Sequence, residues 1–299
     1  MASALKRILI AVAAVAAGAC SIDVRGDEVV VREERRFTVG SDLELAVSTF
    51  DGSLEILAWD RPEVLVEIER RGASGADAQA LDVRTEQQGN RLVVDAPRPP
   101  RIDRDSVIQL GGFRSPSVNF RVTAPARLTL DARTGDGAVA ARDLGGRITL
   151  RTADGAVNTD RLSGAVLVDS GDGAVMVRDA RGTLDLHTGD GAVNVSGRLE
   201  ALRIVTGDGA VRVDAEDGST MTSEWTVESG DGAITVRLPA ALEAEIDAHS
   251  GDGRIRVEGL ATATPSRDDD RPTQLRTTLG KGGQLLRLRT GDGPITIDR

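Results

Sequence analysis

The pattern of apolar and polar positions repeats along this chain. From residue 134 to residue 213 the same order returns every 18 residues: alternating apolar positions, a Ser or Thr, a corner of a small residue, Asp and Gly, and then an aliphatic position. The aspartates of these five copies are Asp136, Asp154, Asp172, Asp190 and Asp208. Four more widely spaced copies place Asp51, Asp231, Asp252 and Asp292 in the same frame. Repetition at a fixed period is typical of solenoid proteins.

Three columns of the aligned copies predict strands. The position two before the aspartate is always Ser or Thr, and the position three after it is always aliphatic, from Leu54 to Ile295. The position six before it is aliphatic except for Trp225. Because apolar residues at a period of two mark strands buried on one face, each repeat should contain two short strands, one on either side of the corner.

The corner itself predicts a tight turn. Glycine adopts positive φ at little cost, and Asp or Thr side chains bond to nearby backbone groups, so this combination suits a reversal of the chain. The glycines assigned to this structural turn follow the aspartates directly: Gly137, Gly155, Gly173, Gly191, Gly209, Gly232, Gly253 and Gly293.

A two-strand unit cannot bury its own apolar face, whereas stacked copies can. We therefore predict an all-β fold, a β-solenoid of about 18-residue, two-strand rungs with a spacing of roughly 4.8 Å. Each strand should pair with its equivalent in the next copy of the sequence. A less regular β-region, with loops at 71–78 and 97–104, should cap the first rung. The predicted division is a leader at 1–19, a tether at 20–27, the irregular N-terminal β-region at 28–127, and the solenoid at 128–299 with a protruding loop at 261–274.

The N-terminus has the layout of a secretory leader. Two basic residues, Lys6 and Arg7, precede an apolar run that ends at Gly18-Ala19-Cys20, and Cys20 is the only cysteine of the chain. This ending resembles a bacterial lipobox, which implies lipidation of Cys20 and attachment to a membrane. The implied location is the cell envelope, at the outer membrane if the host is Gram-negative. The alternative is ordinary cleavage after Ala19.

Composition narrows the range of partners. The formal net charge is −10, which argues against nucleic acid, since binding to phosphates needs clustered Lys and Arg. Aromatic residues form only 2% of the chain, so aromatic platforms for sugars are scarce.

The leader, the strand pair around Asp51-Gly52-Ser53-Leu54 and the tandem Thr-Gly-Asp-Gly corners together resemble the bacterial putative-adhesin repeat family over roughly residues 40–299. The resemblance implies a β-solenoid of the cell envelope without agreed catalytic residues, and so transfers no site to this chain.

Three candidate chemistries arise from the repeat. The five regular aspartates, Asp136 to Asp208, could form a cation ladder, but one aspartate per 18 residues supplies too few oxygen ligands, and we favour a turn role with no metal. His187 and His249 share an outward column three rungs apart, too far for a zinc site. The Ser/Thr column is better explained as a hydrogen-bonding ladder than as a set of nucleophiles.

We therefore expect no catalytic residues, no cofactor and no enzymatic activity. The predicted function is that of an interaction or adhesion module in the cell envelope, anchored to the membrane by its lipid, which binds an envelope protein or polysaccharide. Two alternatives stay open: an accessory protein for envelope-stress sensing or signalling, and a calcium- or polysaccharide-binding β-helix, including a polysaccharide lyase.

Overall fold

The structure is a computed structural model that describes residues 16–17, 21–25, 28–99, 115–259 and 273–299. Cys20 and most of the predicted leader lie outside the described residues, as do residues 261–272 of the predicted loop. Gln274, the last residue assigned to that loop, begins a strand instead.

Almost all regular structure in the described residues is β. The N-terminal strands are β1 (Ala16–Ala17), β2 (Ser21–Arg25), β3 (Glu28–Thr38), β4 (Leu43–Thr49), β5 (Leu54–Trp59), β6 (Glu63–Gly72), β7 (Arg84–Gln88), β8 (Arg91–Ala96) and β9 (Ser117–Pro125), with one short helix, α1 (Gly75–Ala80). The strands of the regular repeats are β10 (Arg127–Thr134), β11 (Val139–Arg142), β12 (Gly145–Thr152), β13 (Val157–Asp160), β14 (Ser163–Ser170), β15 (Val175–Thr188), β16 (Val193–Thr206) and β17 (Val211–Ala215). The C-terminal strands are β18 (Trp225–Ser229), β19 (Ile234–Arg237), β20 (Ala244–Ser250), β21 (Ile255–Val257), β22 (Gln274–Leu279), β23 (Leu285–Thr290) and β24 (Ile295–Asp298).

The predicted β-solenoid is confirmed. Strands before the corner pair in parallel with their equivalents, as β10 does with β12 and β12 with β14, and strands after the corner form a second parallel ladder through β11 and β13. The register is the one that the sequence columns predict, because Leu130 lies beside Ile148 and Val139 beside Val157. Each repeat is one rung of the stack.

The inward columns form one continuous core. Val139, Val157 and Val175 have no solvent exposure, and Trp225 fills the same kind of inward position as Leu286 with none either. The core is narrow because it lies between the strands of each rung, and small branched side chains fit it best. This agrees with the low aromatic content of the chain.

A second corner of the regular rungs was not predicted. After the second strand the chain turns through Asp143, Arg161 and Asp179, which have φ of 61°, 52° and 51°. The next residues, Leu144 and Leu162, are buried, so each of these rungs has a further inward position. Left-handed backbone is uncommon for residues other than glycine, although aspartate tolerates it better than most.

The rungs do not stack in sequence order at the C-terminal end, contrary to prediction. β23 pairs with β18 on one side and with β20 on the other, and β24 lies in the same way between β19 and β21. The last repeat of the sequence, around Asp292, therefore lies between the repeats of Asp231 and Asp252. The end of the first ladder is covered by β22, which runs antiparallel to β20.

The N-terminal end shows the same exchange. β4 and β5, around Asp51, lie between the repeat of Asp136 and an outer pair formed by β8 and β9. Further antiparallel strands, β3, β6 and β7, complete this end. The region predicted as a loop at 71–78 contains the start of α1, where the Ser74 hydroxyl accepts a hydrogen bond from the Asp77 amide at 3.1 Å.

The division into an N-terminal region at 28–127 and a solenoid at 128–299 stays a prediction. The pairing of β4 with β10 and of β5 with β11 makes residues 43–59 part of the stack.

Candidate functional site

The Ser/Thr column forms a buried hydrogen-bonding ladder, as predicted. Thr152 Oγ1 donates to the Gly137 carbonyl at 2.9 Å and accepts from the Gly155 amide at 3.0 Å. Equivalent bonds to the neighbouring rung are made by Thr134, Ser170, Thr188, Thr206, Ser229, Ser250 and Thr290. These hydroxyls join each corner to the next through their hydrogen bonds.

The turn glycines are required by close stacking. A Cβ on Gly173 would collide with the Gly155 carbonyl, and the same holds for each turn glycine against the one in the neighbouring rung. None of these eight glycines has φ in the left-handed region, so the predicted reason for glycine at this position was wrong. Where a glycine precedes the aspartate, it stacks equally closely, as where the Gly207 amide donates to the Gly189 carbonyl.

The aspartates of the corners form an exposed row along one edge of the stack. Asp136, Asp154, Asp172, Asp190 and Asp208 are all exposed, whereas Asp51 is half-buried. Burial, and then the neighbouring Asp136 charge, raise the pKa of Asp51 above its usual value. The carboxylates of Asp51 and Asp136 in neighbouring rungs thus repel each other.

The described parts of the chain, 28–99, 115–259 and 273–299, gather no group of three or more His, Cys, Asp or Glu side chains that could hold a metal ion. The aspartates of the row stand one per rung, each followed by glycine and preceded by glycine, or by Ala153 at Asp154. The two histidines are four rungs apart rather than three, because the repeat of Asp292 lies between them and adds a rung.

The candidate interaction surface is the outer strand face, which we define as the outward side chains of the strand before each corner. Its side chains, apart from the buried Thr226, are Asp131, Arg133, Thr149, Arg151, Leu167, Asp169, Asp185, His187, Arg203, Val205, Glu228, Arg287, Arg289, Asp247 and His249. Parallel pairing places equivalent positions of successive rungs side by side, so the face presents two straight rows of side chains along the stack.

Three carboxylates of this face each lie between two basic side chains. Asp131 bonds Arg133 at 2.6 Å and Arg151 at 3.2 Å. Asp185 lies 2.8 Å from His187 Nε2 and 3.9 Å from Arg203 Nε.

At the C-terminal end, Asp247 lies 2.7 Å from Arg289 and 3.6 Å from Arg276. The hydrogen bond from Arg289 holds the pKa of the Asp247 carboxyl below its usual value. The sequence signal for these clusters is the recurrence of Asp five residues before the corner aspartate, at positions 131, 185 and 247.

The second corner carries its own ion pairs. Arg161 donates from Nε and Nη2 to the two carboxylate oxygens of Asp143, at 2.6 and 2.9 Å, and from Nη1 to Asp160 at 2.6 Å. The hydrogen bond from Arg161 lowers the pKa of Asp143. This fork couples two rungs at exposed positions.

The N-terminal end has an open cleft of about 320 Å³, lined mainly by charged side chains. Glu69 pairs there with Arg32 at 3.0 Å and with Arg71 at 2.5 Å, and it accepts from Asn119 at 3.3 Å. Burial alone would raise the pKa of Glu69, but the bonds from Arg71 and Arg32 outweigh it and lower the pKa. The carboxylate is held by cations in a structural network.

No helix among the described residues is long and apolar enough to cross a membrane.

Comparison with solved structures finds chains of low sequence identity. One is a putative cell adhesion protein from Clostridium sporogenes, with 13% identity and a TM-score of 0.30, over 89% of this chain and 99% of that chain. Another is a putative lipid binding protein from Parabacteroides distasonis, with 15% identity and a TM-score of 0.43, over 89% and 96%. A third is a putative adhesin from Bacteroides fragilis, with 11% identity and a TM-score of 0.34, over 89% and 96%.

No curated protein matches this sequence. The profile of the Toastrack DUF4097 family, whose fold is a β-solenoid, matches residues 43–298. That span begins at the first residue of β4 and ends at the last residue of β24, so it covers every rung of the stack. The chain therefore belongs to the Toastrack DUF4097 family.

Proposed function

We propose that this protein is a non-catalytic lipoprotein of the cell envelope whose solenoid binds a macromolecular partner, an envelope protein or polysaccharide, through the outer strand face. The lipid on Cys20 would hold the stack at a membrane, at the outer membrane in a Gram-negative host, and leave the face accessible.

The observation that supports this proposal is the register of the rungs. Because equivalent residues are paired without a shift from β10 to β14, each rung offers a partner the same two outward positions at the same spacing. A polymer or an extended protein surface that spans several rungs gains affinity from many weak contacts. A single small ligand would gain nothing from such repetition.

The charges of the face suit reversible binding. The pairs of Asp131 and Asp185 with their basic neighbours involve side chains that are 37% to 57% exposed. Ion pairs at such positions contribute about 0–1 kcal/mol each, so a partner can recruit either charge at little cost. Since the face carries both basic and acidic groups, it presents donors and acceptors without the strong net charge of the aspartate row.

The rungs also give little basis for catalysis. An active site needs one rung to differ from its neighbours by a nucleophile or base held near a distinct partner. The buried hydroxyls are engaged in the ladder, and Asp143, Asp247 and Glu69, whose pKa values are lowered, are each held by arginine. These roles are structural.

Site-specific photo-cross-linking in cells tests the proposal without knowledge of the partner. A photoreactive residue is placed on the outer strand face at Arg133, Asp169 or Arg203, and in matched controls on the other ladder at Asn158 or Arg212, all of which are exposed. We expect adducts of one common mass from all three positions of the outer strand face and from neither control. Adducts from a single rung, or equal adducts from both ladders, would contradict the proposal.

A separate experiment tests the proposal that the protein is not an enzyme. The purified protein is incubated with envelope polysaccharides in chelator and in millimolar calcium, and new reducing or unsaturated ends are measured. We expect none in either condition and no change of melting temperature with calcium. Cleavage that a single substitution abolishes would refute it.

A further inference from the structure

The C-terminal rung occupies a slot whose two walls precede it in the sequence. Residues of β23 and β24 lie between the rung of β18 and β19 and the rung of β20 and β21. Both walls are synthesised before the segment that separates them. The slot must therefore open, or stay open, until residues 285–298 arrive.

The inserted segment completes both ladders and the core. Leu286 lies beside Trp225 in one wall and beside Ile246 in the other, and Ile295 lies between Ile234 and Ile255. Leu286, Leu288, Ile295 and Ile297 are fully buried. The hydroxyl ladder also runs through the insert, since Thr290 donates to the Gly232 carbonyl and Ser250 donates to the Gly293 carbonyl, both at 2.9 Å.

A glycine-rich connection carries this segment. Residues 280–284 lead from the end of β22 to the start of β23, and Gly280, Gly282 and Gly283 have φ of 64°, 81° and 157°. Glycine populates these regions freely, so the connection can change conformation at little cost. Lys281, within it, is exposed.

The walls of the slot can also close on each other. Trp225 and Ile246 stand at equivalent positions, as do Ser229 and Ser250, because both members of each pair align with one residue of the insert, Leu286 or Thr290. Without the insert, the two walls can form the same parallel ladder directly, one rung shorter. The edges of the wall strands are then paired both with the insert in the slot and without it, which lowers the free-energy cost of leaving the slot empty.

We propose that the slot is an exchangeable binding site for the segment Leu285–Asp298, which the C-terminus of a second copy of this chain can fill in place of the chain's own. The partner is specified by the columns of that segment: apolar residues that enter the core and a Thr-Gly-Asp-Gly corner that continues the glycine and hydroxyl stacks. The exchange links two solenoids near their C-terminal ends by swapping identical elements.

The chain offers a natural cleavage site for the test. It contains only two lysines, Lys6 in the leader and Lys281 in the connection, so a lysine-specific protease releases Gly282–Arg299 from the rest of the stack without any engineered site. We expect the fragment to co-elute with the cleaved protein in gel filtration. Incubated a few degrees below the melting temperature with excess fluorescent Gly282–Arg299 peptide, the cleaved protein should take up close to one equivalent, while uncleaved protein takes up much less.

A peptide with Leu288→Asp is the matched control, because it differs only at a fully buried position and would bring a charge into the core. It should not be taken up. Three results would overturn the proposal. The cleaved protein could lose its fragment and fail to take up the wild-type peptide, or keep its fragment and never exchange it for the peptide. The third such result is equal uptake of the wild-type and Leu288→Asp peptides.

A shortened connection tests the second copy directly. Deletion of Gly280–Gly283 leaves only Gln284 between Leu279 and Leu285, a reach of about 7.6 Å for two Cα steps. These residues lie on opposite sides of β20, roughly 9.6 Å apart for two strand spacings. The chain's own segment then cannot return to the slot, and we expect dimers or longer assemblies that excess peptide converts to monomers. A folded monomer, or a protein that stays unfolded with added peptide, would contradict the exchange.

Discussion

Removal of one buried hydroxyl, that of Thr159, tests the packing of the rungs. Thr159 is 1% exposed and lies in an inward column between Ala141 and Val177. Among the described residues, its Oγ1 has no hydrogen-bond partner. A buried hydroxyl without a partner costs about 1–3 kcal/mol, and valine has nearly the same shape without the polar atom. We expect Thr159→Val to raise the free energy of unfolding by about 1 kcal/mol.

Thr152, in the same rung, provides the opposite case. Its Oγ1 bonds the Gly137 carbonyl and the Gly155 amide in the buried ladder. Thr152→Val makes the same chemical change and leaves both backbone groups without this partner. We expect a loss of about 1–3 kcal/mol, so the two substitutions, seven residues apart, should shift stability in opposite directions.

Urea unfolding followed by circular dichroism measures both effects, and the shift of the melting temperature should be roughly 2 °C per kcal/mol for a chain of this size. Thr159→Ser is the control, because it keeps the hydroxyl and loses a methyl group, and it should give no gain. A destabilising Thr159→Val would show that the hydroxyl is bonded, and a neutral Thr152→Val would show that the ladder contributes nothing to stability.

Three further predictions concern the corners, acid stability and the anchor. Gly173→Ala should destabilise the protein by several kcal/mol in urea unfolding, because its Cβ would meet the Gly155 carbonyl, whereas Gly75→Ala in α1, where a Cβ has space, should be neutral or slightly stabilising. The depressed pKa of Asp247 means that its stabilising contribution is present above the ordinary value of 3.8 and is lost as the pH falls through the lower value of the folded state. The difference in melting temperature between the wild type and Asp247→Asn should therefore shrink between about pH 5 and pH 2; a constant difference would contradict the assignment. Labelled palmitate should mark the wild type and not Cys20→Ala, and equal labelling, or none, would refute lipidation.

The sequence predicts the register of the rungs well but not their order. Register follows from the columns, since a one-residue slip would move Leu130 or Val139 from the core to solvent. Order does not, because every repeat presents the same columns, and any rung can pair with any other. The insertion of β23 between β18 and β20 therefore cannot be predicted from the repeat pattern. The 40-residue spacing between Asp252 and Asp292 shows only that the repeat is interrupted there.

The repeat pattern did not predict the second corner or the ion pairs, for different reasons. The left-handed positions Asp143 and Arg161 are followed three residues later by Gly146 and Gly164, a glycine column that carried a readable signal. The pairs around Asp131 and Asp185 form between rungs, so they depend on which strands are neighbours as well as on the residues themselves. Local sequence gave no period for the cap, where Glu33 pairs with Arg70 across two antiparallel strands.

The central claim is that many equivalent rungs share the binding of one partner, and removal of one rung tests it most directly. Deletion of Asp172–Gly189 removes one full period of 18 residues and leaves every column in register, so the shorter stack should fold. A nine-residue deletion, which sets a corner against a strand, should not fold. Affinity for the partner captured by cross-linking should fall several-fold with the 18-residue deletion and again with deletion of a second period. Unchanged affinity, or complete loss on removal of one rung, would place the contact in a single local site and contradict the account.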